Sequence, residues 1–486
     1  MDRSLLTSSD RVLRPGRGQR SPWLREALVR EPDQGAPSTP LGQNADYDVA
    51  ILGGGYTGLW TAWFLIERSP DLRIAILERD ICGGGPSGRN GGFVNAWWDD
   101  LPRLISLYGP ERAAEAARAS AASVRAIGDW CADNSVDAHY RRAGMLTVST
   151  TPLHDGVGAE LVEACRSVGQ ADAYRAMSYA EVQAICGSPR FRDGALMADG
   201  ATVQPALLAR GLRRVLLGRG VHIHEMTEVR SVRRRSSTSV GLRTADGVEV
   251  RASQVVFAIN AWSAGWRAFN RSLLTWGSYM ARSEPIPEQL DRLKWTAGEA
   301  IVDARFTVHY LRTTNDGRIA IGAGGGLPGY GGRITKVFTD ADGPAMRAAY
   351  AFRLFFPQLA NVRLTDAWGG PIDVSPTHLP QFGSLRGGRM HFGFGYSGNG
   401  VGPSHLGGQI LAALALGSAE PLTRLPMVGP PLQRFPPEPF RYVGARILRE
   451  AMIRREDGEE AGHPPSWPLR QLTRVPHLLG YQLGPK

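Results

Sequence analysis

Long apolar runs, lysine and patterned cysteine are what this 486-residue chain lacks. No uninterrupted hydrophobic stretch approaches the ~18–20 residues of a membrane span, so no transmembrane helix is expected. The opening, MDRSLLTSSDRVLRPGRGQR, has no apolar core of a secretory leader, which points to a cytoplasmic protein. The four cysteines (Cys82, Cys131, Cys165, Cys186) form no CxxC pair and no metal-ligand spacing. They read as isolated thiols in a reducing compartment, and no metal site is expected. Lysine occurs three times (Lys294, Lys336, Lys486), so the net charge of +10 is carried by arginine dispersed along the chain. The densest group, Arg233 to Arg235, falls between two expected strands as a solvated turn. Such a distribution disfavours a nucleic-acid partner.

What is present is ordinary globular composition, 43% hydrophobic and 21% charged, in a chain too long for one core. Residues 47–52 (YDVAIL) are a short buried strand, LWTAWFLIERS at 59–69 a helix, and LRIAIL at 72–77 a second strand. Together they make a βαβ unit of the usual size. Further helices are expected near 110–132, 201–218, 344–356 and 405–416, and strands at 145–150, 221–229, 240–245, 253–259, 306–314, 318–324 and 389–395. This order implies an α/β (mixed α+β) fold: a discontinuous Rossmann-like domain with an inserted mixed-sheet substrate domain. The expected divisions are an arm at 1–44, with Trp23 and Leu24 docking onto the body, and a nucleotide domain at 45–105, 185–265 and 365–417. The substrate domain takes 106–184 and 266–364, and a Pro/Arg-rich tail at 418–486 wraps the surface or is partly mobile.

Chemistry enters at GGGYTGL, residues 53–59. Gly53, Gly55 and Gly58 have GxGxxG spacing. The first permits a tight turn, the second a close approach of backbone to a pyrophosphate, the third close helix–sheet packing. Tyr56 and Thr57 open the helix whose positive end faces the phosphates. Glu78 ends the next strand, 20 residues after Gly58. Its carboxylate suits two ribose hydroxyls and repels a 2′-phosphate; Arg79 follows it. This unit alone does not separate FAD from NAD. SGRNGG at 87–92 does: Ser87 and Arg89 suit a diphosphate, and Asn90, Gly91 and Gly92 suit close approach to an isoalloxazine ring.

GGGYTGL, Glu78, SGRNGG, ATVQP and GYSGNGV together resemble the D-amino-acid-oxidase-like superfamily of FAD-dependent amine oxidoreductases. The resemblance spans roughly residues 20–417 and is strongest to the gamma-glutamylputrescine oxidoreductase group, whose N-terminal arm SPWLREAL also resembles. It implies that Val229 meets the adenine side through its backbone. It also implies that Gly398, Asn399, Gly400 and Val401 bring backbone NH groups and a helix N-terminus to the flavin pyrimidine. Close relatives often have histidine in place of Asn399. Some relatives attach FAD to a cysteine in the C-terminal third, where this chain has none, and others to a histidine near Asn90; noncovalent FAD is expected.

The resemblance further implies oxidation of a C–N bond of a small amine or amino acid by hydride transfer, giving an imine that hydrolyses, with no obligatory side-chain base. Relatives line their pocket in the segment VHYLRTTNDGRIAIG. Tyr310 would close an aromatic wall and Arg312 would clamp a substrate carboxylate, unless it is an exposed strand-end arginine. His309 and Tyr310 alternate on a strand, so one of them faces the pocket. His378 reads as a loop histidine with its own partners. The lysine that oxygen-using members carry corresponds to Ala320, so the electron acceptor, oxygen or another, stays open. Two other readings stay open as well: action on an aminomethyl group of a macromolecule such as tRNA, and a non-catalytic flavoprotein.

Overall fold

A computed structural model describes residues 5–7, 10, 13–16 and 18–482. The strand Ala45–Leu52 and the strand Ile74–Leu77 lie side by side and parallel, with Val49 opposite Ile74 and Leu52 opposite Leu77. Ala50, Ile51 and every residue of Ile74–Leu77 are buried, as a strand covered on both faces requires. Parallel neighbours extend this sheet to Glu249–Phe257 and Met390–Phe394 on one side and His222–His224 on the other. Gln381–Ser384 closes one edge antiparallel, and the hairpin Val229–Arg234/Val240–Thr244 branches from Glu249–Phe257. Arg233 and Arg234 are thus the end of a strand, and only Arg235 enters the turn.

A second sheet of eight strands runs Leu364–Val374, Leu274–Ser283, Ile319–Ala323, His309–Thr313, Ala300–Asp303, Met145–Val148, Gly194–Met197 and Tyr174–Met177. All its pairings are antiparallel except Ala300–Asp303 with Met145–Val148, so the sheet is mixed. The molecule is therefore a mixed α/β protein in which the parallel sheet is assembled from separated segments. Two expected boundaries fall elsewhere in the sheets. Gly194–Met197, after 185, and Leu364–Val374, across 365, pair in the second sheet. Two long strands, Leu274–Ser283 and Leu364–Val374, were not anticipated, because their glycines, prolines and polar residues hide the period-2 pattern. Where ATVQP suggested a helix from 201, Gly200–Thr202 is instead a short strand beside Phe93–Asn95, and the helix starts at Pro205.

Two helices fix the nucleotide side. Tyr56–Arg68 packs along Val401–Leu416, and Gly408 permits the contact: a Cβ there would sit 2.5 Å from the Cβ of Trp60. The N-terminal arm is ordered where it is described. Ser21 caps the helix Pro22–Val29, and Trp23 and Leu24 are buried with Met280, Ala320 and Trp368. Asp10 forms a buried ion pair with Arg353 at 2.7 Å.

The expectation for 418–486 needs correction. This region carries the helices Phe440–Glu460 and Trp467–Leu478, and both reach a cavity inside the molecule. Proline and arginine dominate its composition, yet FRYVGARILREAM has apolar residues at helical spacing, which suffices to fold against the body. Among the described residues no helix is long and apolar enough to cross a membrane, and no cluster of His, Cys, Asp or Glu could hold a metal ion.

Candidate active site

The glycine loop follows Ala45–Leu52 directly. Gly53 has φ +103°, where a Cβ would meet the Ala258 carbonyl oxygen at 2.5 Å. A Cβ on Gly58 would lie 2.0 Å from the Gly53 oxygen, so turn and helix close only around glycine. Gly55 differs. It is the N-cap of Tyr56–Arg68, and the nearest atom to a Cβ there is the Ser87 hydroxyl at 3.0 Å. Its outer face is open, as a backbone that must approach a phosphate requires. Thr57 and Tyr56 turn away from it: Thr57 Oγ1 donates to the Tyr396 hydroxyl at 3.0 Å and the Tyr56 hydroxyl to the Pro205 carbonyl at 2.7 Å.

Glu78 ends its strand beside this loop. It accepts the NH of Gly54 at 2.7 Å and of Asp80 at 2.8 Å. Burial pushes its carboxyl up to about 6, although both NH groups pull the other way. The segment before Val229 is its neighbour, since the Thr227 NH donates to the Glu78 carbonyl at 2.7 Å. Val229 itself starts the outer hairpin opposite Thr244 and, partly buried, packs against the core of this sheet. The Arg79 guanidinium lies over the Trp262 ring, 5.5 Å from its centroid.

The loop 86–92 links this cradle to the cavity. At its near end the Ser87 hydroxyl accepts the Tyr56 NH at 2.9 Å. Asn90 braces the middle, donating to the Pro86 and Ser87 carbonyls at 3.0 and 3.1 Å and accepting the Gly92 NH at 2.7 Å. Arg89 lines the cavity, but its guanidinium donates to the carbonyls of Gly84, Gly369 and Gln19. Gly91 lies against the cavity wall, where a Cβ would meet Phe93 at 2.8 Å and Tyr310 at 3.1 Å.

The cavity has a volume of about 1030 Å³, with Gly91, Tyr310, Ser278, Met280 and Asn399 on its walls. Opposite the 86–92 loop, Gly398 turns the chain at φ +97° and Gly400 caps the helix Val401–Leu416. Its N-terminus carries roughly half a positive charge. Both amide atoms of Asn399 are shielded from water and have no hydrogen-bond partner. A buried unpaired amide is costly, so a polar partner belongs there. Open Gly55, tight Gly91 and unpaired Asn399 together fit a long, flat dinucleotide laid from the first sheet to the cavity.

Of the substrate-side residues, Tyr310 is on the wall. Its hydroxyl hydrogen-bonds Ser278 at 2.8 Å, its ring meets Phe93 edge-on at 5.6 Å, and burial pushes its hydroxyl up to about 12. His309 points to the other face of the same strand, where it bonds Asp303 at 2.7 Å and stacks edge-on against Phe355. Arg312 is neither a carboxylate clamp nor exposed. It is 1% exposed, does not reach the cavity, and donates to the carbonyls of Val203, Gly91, Gly92 and Thr313. Burial lowers its pKa to about 9. His378 does line the cavity, with Nδ1 3.5 Å from the Arg103 guanidinium. Ala320 is fully buried with Trp23, Met280 and Trp368 and does not line the cavity.

Two features went unread in the sequence. Asp373 is buried beneath the 395–399 turn and accepts the Gly395 NH at 2.5 Å, while burial pushes its carboxyl up to about 7. The second is the C-terminal wall: Glu456 accepts the NH groups of Phe306 and Thr307 at 2.7 and 3.0 Å and fixes a loop that lines the cavity. Helical spacing in FRYVGARILREAM was the available signal.

Similarity to known proteins agrees with this geometry. The chain is 28% identical over 419 residues to gamma-glutamylputrescine oxidoreductase of Escherichia coli (strain K12), covering 84% of this chain and 94% of that protein. It is 25% identical over 365 residues to sarcosine oxidase subunit beta of Rhizobium meliloti (strain 1021), covering 69% and 76%. Its fold matches glycine oxidase from Geobacillus kaustophilus with a TM-score of 0.65 and 21% identity, over 81% of this chain and all of that one. Residues 48–414 match one protein family, and on that match the chain belongs to the DAO family of FAD-dependent oxidoreductases.

Proposed function

We propose that this chain oxidises a C–N bond of a small amine or amino acid, with FAD held noncovalently. The observation that carries the reading is Asn399, which precedes a helix N-terminus with its amide buried and unpaired and lines the same cavity as Gly91 and Tyr310. Relatives named for gamma-glutamylputrescine, sarcosine and glycine support the choice of an amine.

In this reading Gly53, Gly55, Gly58, Glu78 and the 86–92 loop hold the dinucleotide, with Val229 and Arg79 toward the adenine end. Gly398 to Val401 meet the other end with oriented NH groups, which favour negative charge on reduction. FAD, when bound, supplies a two-electron acceptor for the hydride leaving the carbon next to the amine nitrogen. That nitrogen must be neutral; hydride loss leaves an iminium ion, which gives one N–H proton to water to become the imine, and water then converts the imine to a carbonyl compound and a free amine. Tyr310, Phe93 and Ser278 position the amine and exclude water from the wall. No side-chain base is needed.

The test is an anaerobic screen of polyamines, gamma-glutamyl amines, N-methyl amines and amino acids for loss of flavin absorbance. Bleaching by at least one amine is expected, and re-admitted oxygen then distinguishes an oxidase from a dehydrogenase. Failure of every amine class to bleach bound flavin would overturn the reading.

A further inference from the structure

The family match ends at residue 414, yet the cavity does not end with it. Two helices beyond that point form its outer part. Phe440–Glu460 is bolted down along its length. Near its start Arg441 donates to the carbonyls of Asn270 and Leu273 at 2.6 and 2.9 Å; midway Arg449 holds those of Gly325 and Gly326 at 2.8 and 2.7 Å. Toward its end Glu456 binds the 306–307 backbone, Glu459 meets His154 at 3.3 Å, and Glu460 pairs with Arg305. Such anchoring belongs to a wall rather than a loose tail.

Apart from Arg441, Arg449, Arg455, Glu456 and Glu459, each held by a partner, the side chains this wall turns to the cavity are apolar: Ile447, Leu448 and Met452 from the first helix, Leu472 and Val475 from the second, then Leu479. Large exposed apolar side chains concentrate here. Among the described residues eight of fifteen lie on these helices or just beyond them, including Phe440 (70% exposed), Ile447 (51%) and Leu479 (63%). Five of them, Phe440, Ile447, Leu472, Val475 and Leu479, line the same cavity as Tyr310 and Asn399. An occupant long enough to run outward from the inner end would lie against these side chains.

Charge narrows it further. Six arginines line the cavity, and each is already engaged: Arg103 with Asp100, Arg305 with Asp303 and Glu460, Arg441 with Glu438, Arg455 with Glu459, Arg89 and Arg449 with backbone carbonyls. Neither Lys294 nor Lys336 is on the wall. With Arg312 bound to carbonyls behind the loop, Arg89 is, among the described residues, the one lining arginine with no carboxylate beside it, and it belongs to the 86–92 loop at the inner end, so the C-terminal helices offer a substrate carboxylate no unpaired cation.

We propose that the two C-terminal helices complete the substrate site as an apolar groove, selecting an amine whose nitrogen bears an extended apolar substituent and no carboxylate. The proposal takes only the amine headgroup from the functional reading above.

The test is calorimetric binding of N-methylalkylamines of increasing length to the FAD-loaded enzyme, beside a series of the same lengths ending in a carboxylate. Kd should fall about fourfold per methylene while the chain lies in the groove. A terminal carboxylate should weaken binding about tenfold or more, because it would be desolvated without a partner. Ile447→Asp and Val475→Asp, at partly exposed positions, should flatten the length dependence while the circular dichroism and flavin spectrum stay those of the parent. Length-independent binding to the parent, an unaltered slope in both variants, or tighter binding of the carboxylates would overturn the proposal. So would a flat series joined to loss of dimer mass or of anionic-vesicle binding in Ile447→Asp, which would give the face to a second copy or a bilayer. Length-dependent binding with no flavin reduction would sink amine oxidation and leave the groove standing.

Discussion

Burying the Arg312 guanidinium without a carboxylate leaves backbone carbonyls as its counter-charge, among them those of Gly91 and Gly92. The side chain therefore shapes the loop at the inner end of the cavity and does not bind substrate. Arg312→Met should release flavin on gel filtration and cost about 3 kcal/mol of stability. A substrate clamp would instead keep its flavin and lose only KM toward acidic substrates. Asp373 allows a test with a pH signature. Its folded pKa of about 7 lies above the ordinary 3.8, so the native state holds a proton that the unfolded chain has lost. Stability then falls as pH rises from about 4 to about 7, by roughly 4 kcal/mol, and is flat above. Asp373→Asn removes that loss, so the melting temperature of the variant minus that of the parent should climb across this window and level off above pH 7. A difference constant with pH would contradict the assignment. His309 and Tyr310 show what was legible at this scale. Alternation on a strand said that one of them faces the pocket, and Tyr310 does. Arg312 was not legible, because its partners are carbonyls contributed from residues 91, 92 and 203, far away in sequence.

At the scale of elements, the first βαβ unit was legible because a short all-apolar strand, glycines at fixed spacing and an acidic strand end each have one physical reading. Leu274–Ser283 and Leu364–Val374 were not. They pair with each other, Leu274–Ser283 also pairs with Ile319–Ala323, and residues such as Gly277, Gly369 and Gly370 lend no periodic signal. Gly408 shows why small residues matter between elements: it lets Val401–Leu416 lie against Tyr56–Arg68 with Trp60 in the contact. Gly408→Val forces the new side chain into the Trp60 backbone, whose carbonyl carbon lies 2.8 Å from an ideal Cβ. The cost should be about 1–3 kcal/mol, read as a lower denaturation midpoint at unchanged m-value. An unchanged midpoint would mean that the two helices are not packed this closely.

Across the whole molecule, charge and tail mislead for the same reason: composition does not say where side chains go. Much of the arginine behind the net charge of +10 is consumed internally. Arg210 and Arg213 converge on buried Glu225, Arg353 on Asp10, and Arg282 on Glu26 and Asp366. The Pro- and Arg-rich end becomes a wall of the cavity, a role that only tertiary contacts reveal. What joins the parts is the path from the glycine cradle, along the 86–92 loop, to Asn399 and Tyr310. Its most direct test is the flavin content of the purified parent and of Gly55→Asp, whose carboxylate would face the phosphates at the one open position of the cradle. The parent should carry stoichiometric FAD that acid precipitation releases into the supernatant, and the folded variant should be colourless. Stoichiometric FAD in folded Gly55→Asp, or flavin that stays with the precipitated parent chain, would contradict this account of how the cofactor is held.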